Sequence, residues 1–118
     1  MTTFTSTTET QPNGTCVISL AGYLDAHTAS ELERVMQETI TGGCHRMVIE
    51  FAELEYISSA GLGVFMVFIE SVRAEGGDIK LAAMKERVFS VFDLLGFPVL
   101  FEIYPTVEEA VNAFPASA

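Results

Sequence analysis

Apolar residues along this chain fall into segments with two kinds of spacing. Short apolar runs at 16–21, 47–51, 79–83 and 99–103 are typical of β-strands. Apolar positions recur at helical spacing over 29–40, from about Ser59 or Ala60 to 72, and over 85–95. Residues 4–10 are rich in threonine and carry one large apolar side chain, a composition that favours an exposed edge strand.

Polar and glycine residues mark the ends of these segments. The turn sequence Pro12-Asn13-Gly14 predicts that the first two strands form an antiparallel hairpin. Residues 28–31 and 106–109 fit capping boxes, which predict the starts of the first and fourth helices. Glycines at 42–43, 76–77 and 96 predict where the first three helices end.

The predicted order of elements is β-β-α-β-α-β-α-β-α. Alternating strands and helices predict an α/β fold with a mixed, mainly parallel sheet of four or five strands, an N-terminal antiparallel hairpin and about four flanking helices. At 118 residues the chain has the length of one domain, so we predict a single domain over 1–118 with ragged ends at about 1–3 and 114–118.

The second predicted helix is apolar over nearly its whole circumference. Leu62, Val64, Phe65, Met66 and Val67 follow one another almost without a polar residue. One interpretation is a helix buried between the sheet and its neighbours. The other is that part of this helix is an exposed apolar patch for a partner.

Charge and composition narrow the function classes. The formal net charge of −10 argues against binding nucleic acid or anionic membrane surfaces. No apolar run approaches the ~20 residues of a membrane-spanning helix, and the N-terminus lacks the features of a secretory signal, so a cytoplasmic location is expected. Cys16 and Cys44 do not make a disulfide framework, and Cys16 is interpreted as a small buried strand residue.

Most catalytic and cofactor motifs are missing. His27 and His45 stand alone without a second ligand at metal-binding spacing, so no metal site and no cofactor are expected. The glycines at 61 and 63 lack the third glycine of a dinucleotide fingerprint, and no lysine follows them as in a nucleotide loop. Neither Ser58 nor Ser59 lies in a nucleophile elbow. What remains is a serine pair at a helix start, at the sheet edge where ligands and partners dock.

The segment Tyr-Ile-Ser-Ser-Ala-Gly-Leu-Gly-Val at 56–64 resembles the characteristic motif of STAS domains, which are named after sulfate transporters and anti-sigma factor antagonists. Residues 21–29, 76–79 and 92–97 are similar to three further landmarks of that family, in the expected order. The resemblance implies a stand-alone antagonist that binds an anti-sigma factor, itself a serine kinase with a histidine-kinase-like ATPase fold. The kinase phosphorylates a serine and so ejects the antagonist, and a PP2C-type phosphatase reverses the modification.

Aligned on its glycines, the resemblance places the phosphate acceptor at Ser59. Ser58 occupies the position where the family usually has aspartate, which makes Ser58 the alternative acceptor. The resemblance also implies a partner contact at Asp25, although a loop aspartate can equally serve as a turn or cap residue. The expected partner-binding set is Asp25, Ser58, Ser59, Gly61, Leu62 and Phe65.

We therefore expect a regulatory binding protein, an anti-sigma factor antagonist, and not an enzyme. Two other functions stay open: an accessory STAS subunit of a lipid or anion transport system, and a sensor domain for a small ligand.

Overall fold

The computed structural model describes residues 4–114, which form a five-stranded sheet with four α-helices. In chain order the elements are β1 (Phe4–Thr10), β2 (Cys16–Leu24), α1 (Ala29–Thr41), β3 (Arg46–Ile57), α2 (Ser59–Ala74), β4 (Asp78–Ala82), α3 (Glu86–Leu94), a short 3-10 helix (Phe97–Val99), β5 (Ile103–Tyr104) and α4 (Val107–Asn112). The strands lie in sequence order, with β1 antiparallel to β2 and every other neighbouring pair parallel. The predicted fold class is confirmed.

The hairpin turn has the chemistry that its sequence indicates. Gly14 adopts a positive φ of 87°, and the side-chain oxygen of Asn13 accepts a 3.0 Å hydrogen bond from the amide of Thr15. The Asn13 amide group also donates to the carbonyl oxygen of Val111 at 3.2 Å. The turn therefore closes the hairpin and anchors α4 to the sheet.

Helices α1, α2 and α3 pack on one face of the sheet. Each of these helices connects one parallel strand to the next strand in the sheet. Because the strands follow one another in sequence order and such connections are right-handed, all three helices lie on the same side of the sheet. Their buried residues join those of the strands in one large core, with Leu32 from α1, Phe65 from α2 and Phe92 from α3 all completely buried. This face supplies most of the apolar burial that stabilises the domain.

The opposite face is covered in part by α4. Ala110 and Phe114 pack there on Val17, Val48 and Ala82 in a second, smaller core. Phe114 is 7% exposed, so the expectation that the ragged C-terminal end begins at 114 is wrong for this residue. The other residues of the predicted ragged ends, 1–3 and 115–118, lie outside the described residues.

Three local predictions are wrong. The run at 99–103 is mostly not a strand: Gly96 has a left-handed φ of 77°, Pro98 lies in the 3-10 helix, and β5 is only Ile103–Tyr104. Thr28 precedes α1 but forms no capping box, because its hydroxyl oxygen accepts a hydrogen bond from the amide of Asp25, at 2.9 Å, and none from an amide of α1. The apolar positions of the predicted helix at 85–95 do not all face the core: Phe89, on α3, is 38% exposed, and Leu95, which follows the last residue of α3, is 49% exposed.

The cysteines require a fourth correction. Cys16 and Cys44 form a disulfide, with their Cα atoms 6.6 Å apart. Cys16 is the first residue of β2 and is buried, as expected, while Cys44 precedes β3. The two strands are parallel neighbours that start at the same edge, with Cys16 opposite Met47. Sequence spacing could not reveal this pairing, because it depends on the order of the strands in the sheet.

Candidate functional site

Two loops meet at the carboxyl edge of the sheet, where β2 and β3 end. The amide of Ser58 donates a 2.9 Å hydrogen bond to the carbonyl oxygen of Leu24, the last residue of β2. Gly61, in the first turn of α2, packs against the same residue: a Cβ atom there would lie 2.6 Å from Leu24 Cγ. Only glycine allows this close approach, so the loop after β2 and the start of α2 form one surface.

The two serines at this edge have different roles. Ser58 is the N-cap of α2, and its half-buried hydroxyl oxygen accepts a hydrogen bond from the amide of Gly61 at 3.4 Å. Ser59 is the first helical residue and is exposed. Within residues 4–114 the Ser59 hydroxyl makes no hydrogen bond. It stands beside the free N–H groups and the positive dipole of a helix start, an environment that favours an anion.

Asp25 organises the neighbouring loop. Its Oδ1 atom accepts hydrogen bonds from the amides of His27, at 2.9 Å, and Thr28, at 3.2 Å. Partial loss of solvent raises the pKa of Asp25, but these hydrogen bonds outweigh that effect, and the net pKa lies below its ordinary value. Asp25 is therefore an ionised turn residue beside the serine pair, which is compatible with either role expected from the sequence.

A charged cluster lies on the other side of the serines, between β3 and the start of α3. The carboxylate of Glu55 accepts hydrogen bonds from Lys85 Nζ, at 2.5 Å, and from the Arg87 guanidinium. The hydrogen bond from Lys85 is the main reason that the pKa of Glu55 is below its ordinary value. The loop between β4 and α3 is thus held to β3 at the carboxyl edge of the sheet. The cluster places two cations at this edge, although the chain as a whole is strongly acidic.

The structure corrects part of the expected partner-binding set. Leu62 and Phe65 are 1% and 0% exposed and belong to the large core, so neither can form the contact surface. Gly61 is also buried, and its role is the close packing on Leu24. The helical period turns these residues inward because α2 lies flat on the sheet.

The exposed face of α2 consists of other residues. The exposed Ser59 and Ala60 and the half-buried Gly63 are followed along this face by Met66 and Val67, which are 41% and 64% exposed. Both interpretations of the apolar second helix are thus partly right: most of its large apolar side chains are core residues, and two remain on the surface. A helical wheel started at Ser59 could have separated the two groups.

Sequence reasoning also missed two tyrosines. Tyr23 and Tyr56 are register partners near the ends of β2 and β3, and each side chain is about half exposed, at 51% and 49%. Their ring centroids are 6.4 Å apart. Each tyrosine comes one residue before the buried last residue of its strand. Because side chains alternate between the two faces of a strand, the sequence indicated that each tyrosine lies on the face opposite to that buried residue.

Other kinds of site find no support in the part of the chain that the structure describes. Over residues 4–114, no cluster of three or more His, Cys, Asp or Glu side chains is placed to hold a metal ion. No helix in the same range has the length and apolar character needed to cross a membrane.

Comparison with known proteins agrees with this geometry. The family model of the STAS domain matches residues 7–110. The anti-sigma F factor antagonist of Paenibacillus polymyxa is 30% identical over 101 residues, which cover 85% of this chain and 84% of that protein. The anti-sigma-B factor antagonist of Bacillus subtilis is 30% identical over 96 residues, covering 80% and 86% of the two chains.

A solved structure shows the same fold. The crystal structure of an anti-sigma factor antagonist from Mycobacterium paratuberculosis is similar to this chain with a TM-score of 0.85 and 25% identity, covering 93% of this chain and 92% of the other. The sheet order, the serine pair at the start of α2 and the extent of the family match lead to one conclusion: this chain belongs to the STAS domain family.

Proposed function

We propose that this protein is an anti-sigma factor antagonist that acts by partner switching in the cytoplasm. In its unphosphorylated form it binds an anti-sigma factor, which thereby releases a sigma factor. The observation that carries the proposal is the exposed Ser59 at the start of α2, beside the Asp25 loop, in a chain whose relatives are named as such antagonists. The protein is a regulatory binding partner and a kinase substrate, and it does not catalyse a reaction itself.

The proposed phosphate acceptor is Ser59, and the difference between the two serines supports this choice. The Ser59 hydroxyl is exposed and makes no hydrogen bond within residues 4–114, so a kinase can reach it without disturbing the helix. Ser58 is half-buried, and its oxygen serves as the N-cap. Modification of Ser58 would therefore compete with the hydrogen bond that begins α2.

The proposed contact surface lies around this acceptor. It consists of Asp25, Ser58, Ser59, Ala60, Gly63, Met66 and Val67. Small residues at positions 60 and 63 allow a partner to approach the α2 backbone, and Met66 and Val67 offer apolar area one to two turns further on. The surface thus has a polar end around Ser59 and an apolar end at Met66 and Val67.

Phosphorylation would end the interaction at this surface. A phosphate adds about −1.5 to −2 charges and three acceptor oxygens at neutral pH. A partner shaped to bury a neutral hydroxyl beside Asp25 would have to desolvate this dianion, which is costly because the nearby cations Lys85 and Arg87 are already bound to Glu55. Dissociation then follows from the interface alone and needs no change in the fold of the antagonist.

The test uses the purified full chain, a candidate anti-sigma factor kinase of the histidine-kinase-like ATPase fold, and ATP. We expect one phosphate per chain, located at Ser59 by peptide mass spectrometry, and loss of the complex in size-exclusion chromatography. A PP2C-type phosphatase should remove the phosphate and restore the complex. Ser71→Ala, which changes another exposed serine further along α2, is the matched control and should behave as the wild type.

Three outcomes would contradict parts of the proposal. Phosphate found only on Ser58 would show that Ser59 is not the acceptor. Binding that is unchanged after complete phosphorylation would exclude the switch. Binding to a transporter ATPase without any phosphoryl transfer would favour an accessory transport subunit instead.

A further inference from the structure

The disulfide lies at the end of the sheet opposite the serine pair. Cys16 begins β2 and Cys44 precedes β3, whereas Asp25 and Ser58 follow the far ends of the same two strands. The two residues differ in exposure: Cys16 is 6% exposed, while Cys44 is half-buried and lines a surface cleft. Cys44 is therefore the more accessible end of this disulfide.

The cleft beside Cys44 has a volume of about 260 Å³. Four glycines form part of its wall, and His45, Arg46 and Glu75 contribute larger side chains. The residues that form it, besides Cys44, are Asn13, Gly14, Gly43, His45, Arg46, Glu75, Gly76 and Gly77. A cleft of this size admits a small thiol at Cys44.

We propose that the Cys16–Cys44 pair is a reversible thiol–disulfide exchange site that opens by attack at Cys44. A thiolate of the reductant forms a bond to Cys44 Sγ, the bond between the two cysteine sulfurs breaks, and the electron pair leaves on Cys16, which takes up a proton. A second thiolate then attacks the reductant sulfur of the mixed disulfide and releases Cys44, which is also protonated. In sum, the disulfide and two thiols, or one dithiol, become two cysteine thiols and one new disulfide.

The reduced state fits the same backbone. Cys44 Sγ lies 3.4 Å from the carbonyl oxygen of Arg46, so a thiol formed there can donate to this oxygen. Cys16 is one of the buried apolar positions at the start of β2, where a free thiol packs as a small apolar group. The β2–β3 ladder continues to Leu24 and Ile57 and does not depend on the disulfide.

Reduction changes stability because the cross-link spans a sequence separation of 28 residues that includes α1. Opening it returns conformational freedom to the unfolded chain, and for a loop of this length the melting temperature should fall by roughly 10–15 °C. The contact residues at the carboxyl edge are untouched. The redox state therefore controls how much folded antagonist survives at a given temperature, without altering its binding surface.

The test begins with the full chain oxidised in air. We expect no titratable thiol under denaturing conditions, and two after treatment with a dithiol reductant, with the stated fall in melting temperature. Brief exposure of the oxidised chain to glutathione, followed by acid quenching and peptide mass spectrometry, should place the mixed disulfide on Cys44. In a matched pair of variants, Cys16→Ser should leave a thiol that reacts with a maleimide about tenfold or more faster than the thiol left in Cys44→Ser.

Each alternative result overturns the proposal. Two free thiols in the air-oxidised chain would show that the cross-link does not form, and glutathione on Cys16 would show that attack does not come from the cleft. An unchanged melting temperature after reduction would show that the disulfide does not stabilise the folded chain. These measurements involve no kinase or sigma factor, so they fail or succeed independently of the proposed partner switch. Adduct mapping uses the wild-type chain and remains decisive if a variant does not fold.

Discussion

The amide of Ser58 donates a hydrogen bond to the carbonyl oxygen of Leu24, and the N–O distance is 2.9 Å. This contact joins the residue that caps α2 to the last residue of β2, immediately before Asp25. Leu24 is completely buried, and Gly61 packs closely against it. The serine pair and the aspartate loop are thus held together by backbone geometry, and the surface around them exists before any partner binds.

Gly61 and Gly63 should respond in opposite ways to alanine. In Gly61→Ala the new methyl group would lie 2.6 Å from Leu24 Cγ and 3.2 Å from the Leu24 carbonyl oxygen, so we expect a loss of about 1–3 kcal/mol in the free energy of unfolding. At Gly63 nothing lies within 4 Å of the added atom, and Gly63→Ala should gain up to about 1 kcal/mol through helix propensity. Urea denaturation measures both values, and equal effects would contradict the close packing on Leu24.

Asp25 can be tested for a role in binding apart from its role in the turn. Asp25→Ala removes the acceptor for the His27 and Thr28 amides, so we expect slightly lower stability and weaker binding of the anti-sigma factor. Asp25→Asn keeps a side-chain oxygen and removes the charge. If titration calorimetry shows that the asparagine variant binds as the wild type does, the charge makes no contact with the partner and Asp25 is a structural turn residue.

Phosphorylation at Ser59 should leave the fold intact. The phosphate would meet the free N–H groups at the start of α2, a favourable interaction of about 0.3–1 kcal/mol at an exposed helix end. Repulsion from the net charge of −10 is spread over the surface and screened by salt, so the free energy of unfolding should change by no more than about 1 kcal/mol.

The measurement compares the thermal unfolding and the circular dichroism of the two forms. Ser59→Asp, with one charge and two oxygens, should weaken partner binding only in part. A large loss of helical signal on phosphorylation would mean that the switch works by unfolding α2, contrary to the interface mechanism proposed above.

The hydrogen bonds of Glu55 should make the free energy of unfolding depend on pH in the acid range. Its hydrogen bonds to Lys85 and Arg87 hold the pKa of Glu55 below its ordinary value of 4.5. A carboxylate whose pKa is lower in the folded state stabilises the fold above its unfolded pKa, and this contribution disappears as the pH falls through the folded pKa. Glu55→Gln should therefore be less stable than the wild type at pH 7, and the difference should shrink below about pH 4.

Stability would be followed by urea denaturation over this pH range. Glu53→Gln, which changes an exposed glutamate two residues earlier on β3, is the matched control and should keep the pH dependence of the wild type. A pH profile of Glu55→Gln that is parallel to that of the wild type would mean that the cluster does not stabilise the folded state.

Local chemistry in the sequence determined much of this protein. Proline, asparagine and glycine at 12–14 specified the hairpin, and the periods of apolar residues specified the alternation of strands and helices, from which a mainly parallel sheet follows. The serine pair before a long apolar helix was recognisable as a helix start, and Ser58 is its N-cap. These features depend on residues close together in the chain, where backbone preferences and side-chain spacing act directly.

Tertiary structure decided the features that depend on contacts between residues far apart in the chain. A helical wheel places Leu62 and Met66 on different faces of α2, but how much of the helix its neighbours cover is set by the way α2 lies on the sheet, which leaves Met66 41% exposed. Thr28 forms no capping box because its hydroxyl bonds to the loop before α1, accepting from the amide of Asp25 and donating to the carbonyl oxygen of Tyr23. Cys16 and Cys44 become bonded because β2 and β3 are parallel neighbours that begin at the same edge, which brings together two residues 28 positions apart in the chain.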